Sequence, residues 1–195
     1  METWDIAGYC LEFIEESHTY ICDGIVLPSI TQILKVKFGN KYNHVNKAVL
    51  QRASEKGTEV HEAIERYCKE GIESDLVELQ NFKFLQKQYK FDVIDNEVPV
   101  ILFRVGKPIA CGRLDLVLIK DDLIGLGDIK RTATLDKNYL AYQLNLYKIA
   151  FEQCYGAVKF LKGIHLRDST RKYVDIPINE SIAWEVVEEY LKENG

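Results

Sequence analysis

Residues 112–130, GRLDLVLIKDDLIGLGDIK, contain the pattern from which the architecture of this chain follows. Two short apolar segments flank the polar residues 120–122, which is the pattern of a β-hairpin. Each segment carries one aspartate, Asp115 and Asp128, where the surrounding residues predict core. Because a buried charge is costly unless it is paired or binds a metal, these two carboxylates are candidates for a functional site.

Length and composition indicate one ordinary globular domain. The chain has 195 residues, of which 47% are hydrophobic and 28% charged, as in soluble proteins generally. No apolar run approaches the roughly 20 residues of a membrane helix, and the N-terminus has no basic segment followed by an apolar one. We therefore expect a protein that stays inside the cell, with no membrane partner.

The cysteines are odd in number and form no CxxC pair: they are Cys10, Cys22, Cys68, Cys111 and Cys154. This usage predicts free thiols in a reducing compartment.

The net charge is −5, which argues against a generally basic nucleic-acid-binding protein. However, residues 120–172 contain ten lysines and arginines against six aspartates and glutamates. Because binding responds to the local field, a nucleic-acid partner stays open.

Periodicity and turn residues predict the elements of the N-terminal half. Residues 12–28 are expected to form a hairpin that turns at Asp23-Gly24. Ser29 is expected to cap a short helix. A long helical stretch follows over residues 43–71, with a break at Gly57 and an end at Gly71, and a further helix covers residues 75–91.

The second half alternates strands and helices. Three or four strands are expected over residues 92–130, a helix over 136–156, two strands over 157–168 and 172–178, and a final helix capped by Asn179. No repeat or Pro/Gly/Ser-rich linker interrupts the chain. The order predicts one α/β domain with helices packed on the faces of a sheet.

The two aspartates lie at opposing positions of the hairpin, because residues 115 and 128 are almost equally far from its turn. Directly opposed like charges destabilise a sheet, and a divalent cation removes the conflict. Carboxylates are the ligands that Mg²⁺ or Mn²⁺ selects. A single such aspartate is more often an edge residue or an acceptor for backbone amides, so the inference depends on the pair.

Lys130 lies two residues after Asp128 and therefore on the same face of the strand. An Asp-x-Lys pair can hold a metal, orient a water and stabilise negative charge on a phosphate. The alternative is a same-face salt bridge, which adds little.

Two helices carry further candidates. His61 and Glu65 are one helical turn apart in KGTEVHEAIERY, and an imidazole can complete a coordination sphere begun by two aspartates. Gln143 and Tyr147 share one face of YQLNLYKIAF, where an amide and a phenol can bond phosphate oxygens or orient Lys130. The alternatives are a surface or core histidine and a core tyrosine.

The motifs GTEVH, GRLD, DIK and QLNLY, in this order over residues 57–147, resemble those of the PD-(D/E)xK nuclease superfamily. The similarity is greatest to its RecB-type branch, which includes phage and recombination exonucleases. Residues 16–34 are also similar to the opening of phage-encoded members.

The resemblance implies an α/β fold with a restriction-endonuclease-like core, in which helices flank a central mixed β-sheet that follows an N-terminal hairpin and helical extension. A single nuclease domain would span residues 1–195. Its N-terminal hairpin and helices would cover 1–56, the motif-bearing core 57–172, and the C-terminal strand and helix 173–195.

The resemblance also implies roles for individual residues. His61, Asp115 and Asp128 would bind Mg²⁺ or Mn²⁺ together with the carbonyl of Ile129. Lys130 would position or deprotonate the attacking water and stabilise the transition state. Catalytic support of Lys130, or contact with the DNA backbone, would come from Gln143 and Tyr147.

Further residues follow from the same resemblance. Glu97 and Glu65 are additional acidic candidates. The DNA-facing surface would include Arg131, Lys137 and Lys148. No iron–sulfur cluster is expected, since Cys154 is the only cysteine in the region where relatives carry a cysteine group.

The function implied is a metal-dependent DNA exonuclease, phage or mobile-element encoded, that acts in recombination or DNA processing. In that case it would work in the bacterial host cytoplasm, with a single-strand annealing protein as a candidate partner and a homo-oligomer as a candidate assembly. Three alternatives stay open: a structure-specific or restriction-like endonuclease, an inactive DNA-binding module on a nuclease scaffold, and a structural protein whose acidic pair binds Ca²⁺.

Overall fold

The computed structural model describes residues 1–39 and 46–194 and contains two sheets. The first sheet is antiparallel, with its strands in chain order: β1 (Glu2–Ile6), β2 (Tyr9–Ile14), β3 (Thr19–Cys22) and β4 (Ile25–Leu27). The β3–β4 hairpin turns at Asp23-Gly24, where φ is 47° and 78°, as the sequence predicts. Two further hairpins were not predicted: β1–β2, which turns at Ala7-Gly8, and β2–β3, which turns between Ile14 and Thr19.

The second sheet has the order β5-β6-β7-β8-β9. Its strands are β5 (Asp92–Arg104), β6 (Lys107–Lys120), β7 (Leu123–Lys130), β8 (Phe160–Arg167) and β9 (Thr170–Ile176). All neighbours are antiparallel except β7 and β8. A parallel pair requires a crossover, which α4 (Lys137–Cys154) provides.

The remaining helices are α1 (Ile30–Phe38), α2 (Lys47–Glu70), α3 (Val77–Tyr89) and α5 (Glu180–Asn194). The expected break at Gly57 is wrong, because α2 passes through this residue and a Cβ there would meet nothing within 4 Å. The predicted end is confirmed at Gly71, whose φ of 69° closes the helix. Residues 43–45 of the expected helix lie outside the described residues.

The predicted caps of α1 and α5 are confirmed. Ser29 Oγ accepts a hydrogen bond from Gln32 N at 3.1 Å, and Asn179 Oδ1 accepts one from Ser181 N at 3.2 Å. Each cap satisfies an amide that the helix itself leaves unpaired.

Apolar side chains cover both faces of the central sheet. On one face α1, α4 and α5 pack against β5, β6 and β7 through residues such as Leu34, Leu144 and Val186. On the other face α2 and α3 pack against β6, β7 and β8 through residues such as Ile64 and Phe82. The predicted α/β fold is therefore confirmed: helices flank a central mixed sheet that follows an N-terminal hairpin.

No helix within residues 1–39 and 46–194 is long and apolar enough to cross a membrane.

Candidate metal centre

The β6–β7 hairpin brings the strands that carry the two aspartates side by side. It turns at residues 121–122, and the last pair of its ladder is Leu116↔Gly127. Asp115 and Asp128 are the next residues on the two strands. Here the ladder gives way to a side chain, because Asp115 Oδ2 accepts a hydrogen bond from Ile129 N at 2.7 Å.

Three side chains meet beside this point. The ligand atoms of His61, Glu97 and Asp115 all lie within 4.8 Å of one another. His61 Nδ1 is 3.7 Å from Asp115 Oδ2 and 3.9 Å from Glu97 Oε1. On the other side of the ring, His61 Nε2 donates to the carbonyl oxygen of Ile129 at 3.1 Å. The structure thus brings together a helix, two neighbouring strands and the backbone of a third strand.

Glu97 has an unusual backbone conformation. Its φ is 51°, although it lies within β5 and the flanking pairs Asn96↔Leu116 and Val98↔Leu114 keep it opposite Asp115. The left-handed region costs a residue other than glycine about 1–3 kcal/mol, and such strain is concentrated at functional sites. Arg113 Nε lies 3.5 Å from the second carboxylate oxygen, Glu97 Oε2.

Asp128 and Lys130 form a buried ion pair next to this group. Asp128 is 1% exposed, and its Oδ2 lies 2.5 Å from Lys130 Nζ. Within the described residues, the group of converging ligand atoms contains Glu97 and not Asp128. The structure therefore places Glu97 in the group and Asp128 beside it, paired with Lys130.

The charges of these side chains are coupled. Burial opposes the charge on His61, but the carboxylates of Asp115 and Glu97 outweigh it and raise the pKa of His61 to about 9. Burial raises the pKa of Asp128 to about 6, against the opposing effect of Lys130. Burial also disfavours the charge on Lys130, but Asp128 and Asp115 outweigh it and raise the pKa of the ammonium. Lys130 is therefore positively charged at neutral pH.

Helix α4 covers the site from the opposite face of the sheet. Tyr147 packs so closely on β6 that a Cβ at Gly112 would lie 3.0 Å from its ring and hydroxyl. The glycine of GRLD therefore makes room for Tyr147. One turn earlier, Gln143 is 5% exposed and lines a cavity together with Lys130. The two helical candidates thus lie where the sequence predicts, next to the strands with the acidic residues.

Glu65 is not part of the converging group. It pairs with Lys69 at 2.7 Å and lies in a cleft of about 520 Å³ that also contains Gly57, His61 and Glu97. This cleft leads from solvent to the candidate metal centre.

The predicted DNA-facing residues differ in their surroundings. Lys137 is exposed at the start of α4. Arg131 Nε donates to the buried carboxylate of Glu78 at 2.5 Å. Lys148 is 5% exposed and donates to two carboxylates of α4 and α5, each at 2.6 Å. The expectation that Lys148 faces DNA is therefore wrong, because its charge is buried and satisfied within the protein.

Comparisons with known proteins add little to this geometry. No family model and no curated protein matches the chain. A solved structure, the crystal structure of SSO0001, is similar with a TM-score of 0.47 and 13% identity, over 85% of this chain and 74% of that chain. A likeness of this degree carries no argument about function.

Proposed function

We propose that this chain is a Mg²⁺- or Mn²⁺-dependent deoxyribonuclease of the PD-(D/E)xK type, which hydrolyses phosphodiester bonds as an exonuclease in recombination or DNA processing. The observation that carries the proposal is the convergence of His61, Glu97 and Asp115 beside the Asp128–Lys130 ion pair. The motifs that supply these residues are far apart in the sequence, and the fold brings them to one corner of the sheet.

The donor set fits such a cation. Two carboxylates and an imidazole lie within 4.8 Å of one another, and the Ile129 carbonyl oxygen lies 3.1 Å from the imidazole. Carboxylate and carbonyl oxygens suit Mg²⁺ and Mn²⁺, and imidazole is acceptable to the transition metal. His61 Nδ1, Glu97 and Asp115 would hold the ion, whereas the Ile129 carbonyl oxygen, which accepts from His61 Nε2 on the other side of the ring, would orient the imidazole.

The residues of the chain have separate tasks in the reaction. When bound, the cation supplies positive charge that offsets the charge of the phosphate and acidifies water. Lys130, held by Asp128, adds a second positive charge where negative charge develops on the phosphate. Asp115 fixes the backbone of β7 between these two residues through the amide of Ile129.

Linear and covalently closed circular duplex DNA distinguish the possible activities. We expect the protein to degrade linear DNA with Mg²⁺ or Mn²⁺, to leave circles intact, and to be inactive with EDTA. Cutting of circles would instead establish an endonuclease. Failure to cleave either DNA with either metal contradicts the proposal.

Substitutions in the ion pair test the assignment of the site. Asp128→Ala and Lys130→Ala are expected to reduce cleavage at least 100-fold, an order of magnitude typical of lost transition-state stabilisation. The matched controls are Asp175→Ala and Lys162→Ala, which remove a second Asp–Lys pair between β8 and β9. Full cleavage by the folded Asp128 and Lys130 variants contradicts the assignment.

A further inference from the structure

A cavity of about 400 Å³ adjoins Lys130 on the side of the sheet that α1 and α4 cover. The residues that matter for its chemistry are Leu34, Lys35, Phe38, Lys130, Tyr139 and Gln143. The volume is in the range of small-molecule sites, roughly 300–1,000 Å³. Since Lys130 lines the cavity and also pairs with Asp128, whatever binds in the cavity lies next to the proposed cleavage site.

Two aromatic side chains, Phe38 and Tyr139, line the cavity. Their rings are 5.2 Å apart at an angle of 76°, and the ring of Tyr142, which is not part of the lining, packs against Phe38 at 5.4 Å and 72°. None of these contacts is a parallel stack. Flat heteroaromatic groups are favoured partners of such surfaces, through stacked or edge-to-face contacts.

The polar groups of the cavity also point to a ligand. Gln143 is 5% exposed, and its Oε1 is buried without a hydrogen-bond partner among residues 1–39 and 46–194. A buried acceptor of this kind is costly until a donor reaches it. Lys35 and Lys130 add positive charge, whereas the carboxylate of Asp136 caps α4 by accepting from Tyr139 N at 2.9 Å.

We propose that this cavity binds an unpaired nucleobase of the strand that is cut, next to the scissile phosphate. The inference rests on the proposed nuclease function and specifies its substrate. Phe38 and Tyr139 would contact the base, an exocyclic amino group would donate to Gln143 Oε1, and the two lysines would face the adjoining phosphates. A base within a duplex must first be unpaired and unstacked, so the cavity selects frayed or single-stranded ends.

Substrates without a base test this proposal through cleavage. The substrates are single-stranded oligonucleotides with a normal or an abasic nucleotide at the 5′ or the 3′ end. We expect the abasic nucleotide at one end to lower kcat/KM about tenfold, within the range of base–aromatic stacking. Phe38→Leu is expected to lower kcat/KM for the normal substrate to the abasic value, with no further loss on the abasic substrate.

Phe84→Leu is the control, because Phe84 is 44% exposed on α3, away from the cavity. It is expected to behave like the unaltered protein. Equal cleavage of normal and abasic ends, or an equal loss on both in Phe38→Leu, overturns the proposal.

A binding measurement separates this proposal from the nuclease function. With Mn²⁺ present, deoxyadenosine monophosphate is expected to bind about tenfold more tightly than 2-deoxyribose 5-phosphate, and Phe38→Leu is expected to remove the difference. Base-dependent binding without any DNA cleavage supports the cavity and contradicts the nuclease. Cleavage without base dependence contradicts only the base-binding cavity. If neither cleavage nor base-dependent binding is observed, both proposals are contradicted.

Discussion

Asp115 and Asp128 lie on the two neighbouring strands of one hairpin but have different surroundings. Asp115 accepts from Ile129 N and faces His61, whereas Asp128 is 1% exposed and lies against Lys130. Burial raises the pKa of Asp128 to about 6, with Asp115 adding to the rise. The two carboxylates therefore differ in what they contact: Asp115 lies beside an imidazole and a backbone amide, and Asp128 lies beside an ammonium.

The protonation of His61 predicts a pH dependence of metal binding. A pKa raised to about 9 means that the metal-free imidazole carries its second proton at pH 7, and a bound cation must displace it. The affinity for Mn²⁺ is therefore expected to increase as the pH rises from 7 and to level off above about 9. Calorimetry in buffers of different ionisation enthalpy is expected to show about one proton released per ion at pH 7.

Two histidine variants provide the comparison. His61→Gln is expected to remove the proton release. His18→Gln, at an exposed position, is expected to leave the proton release unaltered. Binding that is independent of pH and releases no proton contradicts the assignment of His61.

The sequence predicts one site that contains His61, Asp115, Asp128 and Lys130, because their spacing along a helix and a hairpin can be read directly from the sequence. Glu97 is a candidate only through the family resemblance and has no comparable signal in the local pattern. Its position depends on the register of β5 against β6 and on a backbone φ of 51°, and neither is encoded in a local pattern.

Among the elements, β6 and α4 are joined by the contact between Gly112 and Tyr147. Tyr147 is 5% exposed and has little room to move away. Alanine at Gly112 would place a methyl group 3.0 Å from the ring. The orientation of α4, with Gln143 one turn away, therefore depends on this glycine.

Gly112→Ala is expected to lower the free energy of unfolding by about 1–3 kcal/mol, the usual cost of overpacking, and to reduce cleavage by displacing Tyr147. Urea unfolding and the DNA assay measure the two effects. Gly156→Ala is the matched control, because a Cβ there meets nothing within 4 Å. A Gly112 variant as stable as the control would show that Tyr147 yields without cost.

The turn of the β6–β7 hairpin predicts a stabilising change. Asp121 and Asp122 both have positive φ, at 51° and 60°, which costs an L-residue about 1–2 kcal/mol. Asp122→Gly removes much of this cost and is expected to raise the free energy of unfolding by up to about 1 kcal/mol. The control is Asp75→Gly, at an exposed position outside the helices and strands, which is expected to give no gain in stability. Urea unfolding measures both variants, and an equal effect of the two would argue against strain at the turn.

Turn chemistry and caps made the element boundaries predictable, whereas tertiary packing explains the exceptions. Asp23-Gly24 and the residues at 121–122 predict their hairpins correctly. Gly57 did not break α2, since a glycine inside a helix costs only about 1 kcal/mol. Burial of Val60 and Ile64 against the sheet stabilises the continuous helix.

In the molecule as a whole, the basic side chains that the sequence suggests for DNA binding differ in their exposure to solvent. The net charge is −5, and Lys148 is buried between carboxylates of α4 and α5. Lys137 is exposed at the start of α4. Fewer positive side chains are therefore available to a polyanion than the composition of residues 120–172 implies.

Salt dependence of DNA binding distinguishes the two lysines. Lys137→Ala is expected to reduce the slope of log K against log salt by about 1, as expected for one lost phosphate contact. Lys148→Ala is expected to leave that slope unchanged but to lower the free energy of unfolding by about 2 kcal/mol, because it leaves two carboxylates without their partner. Fluorescence anisotropy in the presence of EDTA measures the salt dependence of DNA binding, and urea unfolding measures stability. A changed slope for Lys148→Ala together with an unchanged slope for Lys137→Ala contradicts the structure.

Anomalous diffraction from crystals soaked in Mn²⁺ tests most directly whether one divalent cation binds at the corner formed by α2, β5, β6 and β7. We expect a single manganese peak with ligand distances between about 2.0 and 2.6 Å to His61, Glu97 and Asp115. Side chains that point apart at this corner, with no anomalous peak between them, would contradict it.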